Sequence, residues 1–255
     1  MLASSSSGNC TFLGTERTRI LIDAGLSRRE TFARLAAIGE DPGKLDAIVV
    51  THEHSDHVAG LVALARPSKS GRRLPVYLSK LTAPAISWES CEPHVETFQA
   101  GAGFTIGDIT IESFTIPHDA VDPVGFTFRA EGVKIGVAMD MGYMPDSIKV
   151  HLRSCDFLIL ESNHDVEMLK VGPYPWSLKQ RVMGRKGHLS NDTVCDYIAE
   201  NLDGTTGTLV LSHLSEQNNH PEIVRLVASQ ALERRGLKTR LVVAEPRLQT
   251  EVFQL

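Results

Sequence analysis

The sequence predicts an α/β fold in which two mixed β-sheets stack face to face with helices outside. Three observations carry this. Apolar, β-branched runs recur along the chain; the middle third, roughly Val95 to Met139, is strand after strand with no helix between; and amphipathic helical patterns are confined to the flanks. A doubly wound parallel sheet needs strict strand–helix alternation, which is missing here. The predicted strands are Thr18 to Asp23, Ala47 to Thr51, Val76 to Ser79, Thr110 to Ile116, Val124 to Arg129, Val133 to Met139, Phe157 to Glu161, Thr208 to Ser212 and Arg240 to Val243. A helix over Arg28 to Ile38 puts Phe32, Leu35 and Ala36 on one face, and Val58, Leu61, Val62 and Ala65 mark a second at i, i+3, i+4, i+7. Ser190 is placed to cap a helix that buries Val194, Tyr197 and Ile198. Pro221 at the first helical position and Gly236 past the end frame another through Ile223, Leu226 and Val227. No repeat and no Pro/Gly-rich linker interrupts the pattern, so residues 1–255 are expected to form one domain.

Composition narrows the class. The chain has 255 residues and 27.9 kDa, for which surface scaling predicts roughly 11,000 Å² exposed when folded, enough burial for a core without staples. No apolar run approaches the roughly 20 residues of a membrane helix. The start, Met1-Leu2-Ala3-Ser4, shows neither the basic region nor the apolar stretch of a secretory signal, so a cytoplasmic location is expected. Cysteines at 10, 91, 155 and 195 have no CxxC spacing, which argues against a disulfide framework or a thiolate zinc site. Twenty-six basic against 31 acidic residues leave −5, which excludes coating nucleic acid by bulk charge but not a local basic groove. Ten histidines are the unusual feature.

Four ligand-type residues stand in Thr51-His52-Glu53-His54-Ser55-Asp56-His57, between the apolar strand Ala47 to Val50 and an amphipathic helix. In an extended segment His52 and His54 point the same way, because side chains alternate with period two. Asp56 and His57 fall in the first helical turn, where the chain curls back. The pairs therefore can face two neighbouring ions, and imidazole with carboxylate suits zinc, manganese or iron.

This segment resembles the signature of the metallo-β-lactamase superfamily. The resemblance implies a four-layer αββα sandwich and a dinuclear site. It also supplies later ligands, each just past a strand: His118 in Ile116-Pro117-His118-Asp119, Asp140 in Ala138-Met139-Asp140-Met141, and His213 in Leu211-Ser212-His213-Leu214. The implied set is His52, His54 and His118 on one ion, Asp56, His57 and His213 on the other, and Asp140 bridging. Asp23, before Ala24-Gly25, matches a position that supports the metal ligands in this family; equally, it reads as a turn-forming Asp.

Further segments narrow the branch. Ser5-Ser6-Ser7-Gly8-Asn9-Cys10, Pro117-His118-Asp119-Ala120, Leu160 to Asp165, Gly187-His188-Leu189-Ser190-Asn191 and His213 to Asn219 together resemble the YycJ/WalJ branch. That resemblance implies a cytoplasmic 5′-to-3′ DNA exonuclease, with DNA as partner, no membrane, and oligomeric state left open. The same loops are similar to tRNase Z, but no long Gly- and Pro-rich insertion is present to form a protruding tRNA-binding arm. The length also leaves no room for a β-CASP domain. Hydrolysis of a small cyclic or linear phosphodiester, or of RNA, stands as the alternative.

The expected chemistry is attack on phosphorus by a hydroxide shared between two cations, with the leaving alkoxide needing a proton. His188 is the candidate donor and Glu161 the group orienting it, with Asp56 a catalytic ligand. His188 otherwise merely flanks the Ser190 cap. Asn9, Asp119, Asn163, His164, Arg185 and Lys186 are candidate substrate contacts. Lys179, Arg181, Arg185 and Lys186, with Lys170 upstream, read either as a phosphate-holding patch or as a solvated helix face. Tyr174 and Trp176 either stack a terminal base or pack a proline-bounded turn.

Overall fold

Strand alternation sorts the apolar residues into three cores, and those cores define the layers. The computed structural model describes residues 1–68, 71–89 and 91–255. The first sheet contains β1 (Thr11–Gly14), β2 (Arg19–Ile22), β3 (Ala47–Val49), β4 (Pro75–Ser79) and β5 (His94–Phe98), in that order. Its β1–β2 pair is antiparallel and the rest are parallel. The second sheet contains β6 (Gly103–Ile106), β7 (Ile109–Thr115), β8 (Val124–Ala130), β9 (Val133–Ala138), β10 (Phe157–Glu161), β11 (Thr208–Ser212) and β12 (Arg240–Val243). Its order is β12-β11-β10-β9-β8-β7-β6, antiparallel from β6 to β9 and parallel from β9 to β12.

Ile20, Ile22, Ala47 and Val49 of the first sheet pack against Ile111, Phe126, Val137, Ile159 and Val210 of the second, forming the central core. Their chain neighbours Leu21, Ile48 and Val50 point the other way, onto Leu35 of α1 (Arg28–Ala37) and Leu61 of α3 (Leu61–Ala65). On the far face, Leu158, Leu160, Leu209 and Leu211 meet Ile148 of α4 (Asp146–Leu152), Val194 of α7 (Asn191–Glu200) and Val224 of α8 (Pro221–Arg234). Period-two alternation thus gives every central strand two buried faces, and the layers read αββα. The folded chain exposes 11,579 Å², close to the scaling expectation.

Ser190 caps α7 by accepting from the Thr193 backbone N–H, and Pro221 opens α8, both as the sequence predicts. The helix expected through Val58 and Ala65 is instead two pieces, α2 (Ser55–Val58) and α3. Gly60 divides them because a side chain there would collide with a neighbouring backbone. A Cβ would stand 1.8 Å from the Leu26 carbonyl oxygen, and the Gly60 N–H donates to Ala24 O at 2.8 Å. Strands β1, β5 and β6 and helices α4, α5 (Val166–Val171) and α6 (Trp176–Val182) were not individually legible in the sequence. The strands have partly exposed, polar faces, and the helices, at 6 or 7 residues, are too short for a periodic stripe. No helix among the described residues is long and apolar enough to cross a membrane.

The fold matters to function because β2, β3, β7, β9, β10 and β11 all finish at one end of the sandwich. Asp23 follows β2, His52 lies just past β3, His118 past β7, Asp140 past β9, Glu161 closes β10 and His213 follows β11. Six separate chain segments thereby deliver a polar residue to one place.

Candidate metal centre

The HxHxDH segment leaves β3 and turns at once into α2. Its path is fixed by backbone hydrogen bonds to two other loops: Asn9 N–H to Asp56 O at 2.7 Å, and Ala24 N–H to His57 O at 2.8 Å. Gly25 permits this approach, since a Cβ there would lie 1.8 Å from Asp56 O. Asp23 accepts from the Thr51 N–H at 2.8 Å and the Thr51 hydroxyl at 3.0 Å, and its Oδ2 lies 2.8 Å from His57 Nδ1. It therefore supports the histidine cluster rather than merely shaping a turn.

The imidazoles follow one rule. Each of four has its Nδ1 against a protein group, while Nε2 faces the other ligand side chains or has no hydrogen-bond partner. For His52 the Nδ1 partner is the Thr51 hydroxyl at 3.0 Å, for His57 it is Asp23, for His118 it is Gly187 O at 3.2 Å, and for His213 it is Glu161 Oε1 at 3.0 Å. His118 Nε2 is 3.2 Å from His54 Nδ1, while His57 Nε2 lies 3.4 Å from Asp56 and 3.1 Å from Asp140. Three ligand atoms converge within 4.8 Å in each of the trios His52–His54–His118, Asp56–His57–His213 and His52–His57–Asp140.

The arrangement fits metal ions on the chemistry of the donors. His52 Nε2 is buried and makes no hydrogen bond, a costly state for a polar atom unless a cation is the partner it serves, and the nearest protein group to buried Asp140 Oδ2 is the His57 imidazole at 3.1 Å. Nitrogen and oxygen donors with outer partners that fix the tautomer are how histidine metal sites are held.

Without a cation, these groups share protons. Burial opposes charge on His57, His188 and His213, but facing carboxylates outweigh it. His213, beside Asp140, is raised to about 9, and His57 and His188 lie well above the ordinary range. Burial also works against the Asp140, Asp56 and Glu161 carboxylates, yet the imidazoles hold all three down, Glu161 to about 2. His52 and His118 are lowered, chiefly by burial, which keeps them neutral as metal ligands must be.

Glu161 is more central than its sequence context suggested. Its Oε1 lies 2.6 Å from His188 Nδ1 and 3.0 Å from His213 Nδ1, and its Oε2 accepts the Met141 and Leu189 N–H groups at 2.9 and 3.1 Å. The signal for it was a carboxylate closing a strand otherwise apolar from Phe157 to Leu160. His188 lines the cleft over the cluster, and its Nε2 has no hydrogen-bond partner among the described residues.

Several expected substrate contacts are placed elsewhere. Asn9 is buried, donating to Asp56 Oδ2 at 3.1 Å with its amide nitrogen also 3.1 Å from His57 Nε2; it braces the ligands because its loop runs beneath α2. Asn163 is buried too, and its amide donates to His213 O at 2.9 Å. His164 is buried beside α7 and does not line the cleft, while Arg185 is exposed over the Tyr143 ring, 4.3 Å from its centroid. Lys186 is exposed and also outside the cleft wall, and buried Lys179 donates to Lys170 O at 2.7 Å. The basic patch is therefore dispersed by the turn after α6. Trp176, at 63% exposed, packs no turn. Asp119 alone of the six candidate contacts lines the cleft.

An αββα sandwich whose strand ends gather imidazoles and carboxylates around metal positions defines a class, the metallo-β-lactamase fold hydrolases. The Beta-lactamase superfamily domain model matches residues 18–214, and the chain belongs to that family. The chain is also similar along nearly its whole length to Exodeoxyribonuclease YycJ of Bacillus anthracis, with 38% identity over 241 residues covering 92% of this chain and 89% of the relative. Exodeoxyribonuclease WalJ of Streptococcus pneumoniae is 38% identical over 244 residues, covering 93% and 88%. Among solved structures, the metallo-β-lactamase fold protein YhfI from Bacillus subtilis superposes with a TM-score of 0.73 at 18% identity, covering 96% of this chain and 94% of the other. That likeness is one of fold. The protein is a metal-dependent hydrolase that binds divalent metal, and the convergent donors are the candidate site for it.

Proposed function

We propose that this chain is a dinuclear phosphodiesterase that removes nucleotides from DNA, working from 5′ towards 3′ in the cytoplasm. The observation that carries the reading is the convergence of two donor trios, with outer nitrogens tied down and inner donors facing one cleft. The full-length similarity to proteins named as exodeoxyribonucleases supplies the substrate class.

In this reading His52, His54 and His118 would hold one cation and Asp56, His57 and His213 the other, with Asp140 available to both. Zinc or manganese suits these donors, and iron would also fit. Two such cations supply an activated water as nucleophile and neutralise charge on the phosphoryl oxygens. Asn9 keeps Asp56 and His57 in register. Glu161 fixes the imidazole of His188, whose Nε2 holds the proton destined for the leaving oxygen. Closing strand β10 with Glu161 places one carboxylate behind both His188 and His213, so the proton donor and a metal ligand are positioned together.

A second reading, hydrolysis of a small phosphodiester, is favoured by the size of the cleft, about 160 Å³. RNA is a third substrate to test. Purified metal-loaded protein is to be given DNA labelled at either end, RNA of matching sequence, and bis(p-nitrophenyl) phosphate, across a salt series. The DNA reading expects stepwise shortening from the 5′ end and steep loss of affinity with salt. Intact DNA alongside a hydrolysed small diester overturns it.

A further inference from the structure

The cleft over the candidate metal centre is walled by Ser6, Leu178, Val182 and Gly187 as well as by the candidate ligands, and among the described residues Arg181 of α6 is the one permanently charged cation in its wall. Its Nε donates to Asp119 Oδ2 at 2.5 Å. Asp119 is the residue after His118, and its Oδ1 lies 3.4 Å from His118 Nε2 and 3.9 Å from His54 Nε2 without making a hydrogen bond. The guanidinium is thus held one carboxylate's width from the cluster. Its two terminal nitrogens have no partner among the described residues, and the side chain is 60% exposed. A planar fork with one edge tethered and the other open is the geometry that grips two oxygens of one phosphate.

Resting on the nuclease reading, we infer that Arg181 binds the phosphate next to the scissile one and so makes the site select a strand over an isolated phosphodiester. The carboxylate between it and the metals argues for the neighbouring phosphate. A phosphoryl group held by the candidate ligands would meet Asp119, which lies beside His118 and His54, before Arg181, leaving the guanidinium for the next phosphate along the backbone. Asp119 acts as a positioning residue: it orients the guanidinium and screens it from the cations. The rest of the basic residues of this region cannot take the role, since Lys179 is turned inward onto Lys170 O, Lys170 pairs with Glu167, and Arg185 and Lys186 lie outside the cleft wall.

Arg181→Gln and Arg181→Lys, with metal content checked, are to be compared with the natural protein on a short 5′-phosphorylated oligonucleotide and on bis(p-nitrophenyl) phosphate. The expected result is a 10- to 100-fold rise in KM for the oligonucleotide with kcat little changed, so that preference for oligonucleotide over diester falls by at least tenfold. Lysine recovers only part, because it lacks the fork. Equilibrium binding of a nuclease-resistant phosphorothioate oligonucleotide to the metal-loaded protein is expected to weaken in step, with its salt slope shallower by about one. Replacing single linkages by neutral methylphosphonate is expected to show non-additivity with Arg181→Gln at one non-scissile phosphate. Equal losses on both substrates, non-additivity at no linkage, or loss of metal in the variants overturns the proposal while leaving the nuclease reading standing. If the natural protein hydrolyses only the small diester, the nuclease reading fails first, and this role of Arg181 fails with it.

Discussion

The two ends of the sandwich are built on opposite terms. Where the parallel strands finish, Asp23, His52, His57, Asp140, Glu161 and His213 are each 2% exposed or less and are densely cross-bonded. Three of them, Asp23, Asp140 and His213, hold left-handed backbone with φ of 61°, 58° and 56°. A non-glycine residue in that region costs of order 1 kcal/mol and persists only where its surroundings over-determine it. Where the same strands begin, a partly open pocket of about 600 Å³ with mixed apolar and polar walls lies beside residues 249–255. Ile109, Phe128, Val137, Phe157 and Ile159 line it. Left-handed backbone also occurs at that other end, at Glu131 (φ 53°) and Ser154 (φ 54°), so what sets the first end apart is its buried, cross-bonded polar cluster. Loops at the carboxyl ends of strands can be re-aimed without disturbing the ladders, so that end takes the function.

The sharpest way to break the comparison is at Asp140. Asp140→Asn keeps the shape and tolerates a positive φ, but removes the charge that faces His57 and His213. Turnover should fall by at least about 10³-fold, with metal content reduced and the metal-free protein melting at a lower temperature, since the buried imidazoles lose the charge that offsets their burial. Metal analysis, kinetics and thermal melting check it together. Full metal content with full activity would show that the polar end is structural only. His188→Gln comes next. Losing the proposed proton donor should slow turnover by about 10²- to 10⁴-fold, with metal content retained. If metal is lost instead, His188 is a ligand, and the group formed by Asp140, Glu161, His188 and His213 is itself a cation site.

How legible each end was in the sequence follows the same divide. The candidate ligands lie in short segments at strand ends: HxHxDH could be read from residue type and spacing, while His118, Asp140 and His213 came from the family resemblance that this segment carries. Glu161 closes an apolar run, which is visible once strands are drawn. Asn9 and Asp23 act through contacts of 28 to 48 residues' separation, and Arg181 meets Asp119 across 62, separations no local pattern encodes. The inward turn of Asn9, Asn163 and Lys179 depends on how loops pack, as does the break at Gly60. The other end was illegible altogether, because a pocket is a deficit of volume beside strands whose periodicity is ideal.

A smaller effect separates the ends by pH. His164 is 2% exposed, its Nδ1 has no partner, and burial lowers its pKa to about 4. The unfolded imidazole takes up a proton near pH 6.5 that the folded one refuses. The stability tied to this group is therefore whole above pH 6.5 and lost as pH falls through about 4. Urea unfolding of metal-free protein at pH 7 and pH 4 should show His164→Gln losing less stability than the natural chain, by up to about 3 kcal/mol. Parallel profiles would mean that the buried imidazole is not refusing its proton.

The smallest expected effect lies at the other end. Val137 sits on β9, 1% exposed, with its side chain in the central core and against the pocket. Val137→Ile adds one methylene where there is room for it and keeps a β-branched residue in a strand. Burying that methylene should stabilise the chain by about 0.5–1 kcal/mol, because no neighbour has to move. Activity and metal content should be unchanged, since β9 delivers Asp140 to the opposite end through a backbone held on both sides by β8 and β10. Denaturant unfolding and kinetics on one preparation measure both quantities. A loss of stability would mean that the space is filled by a rearranged tail. A change in turnover would mean that the slack at this end is transmitted along β9 to the polar one.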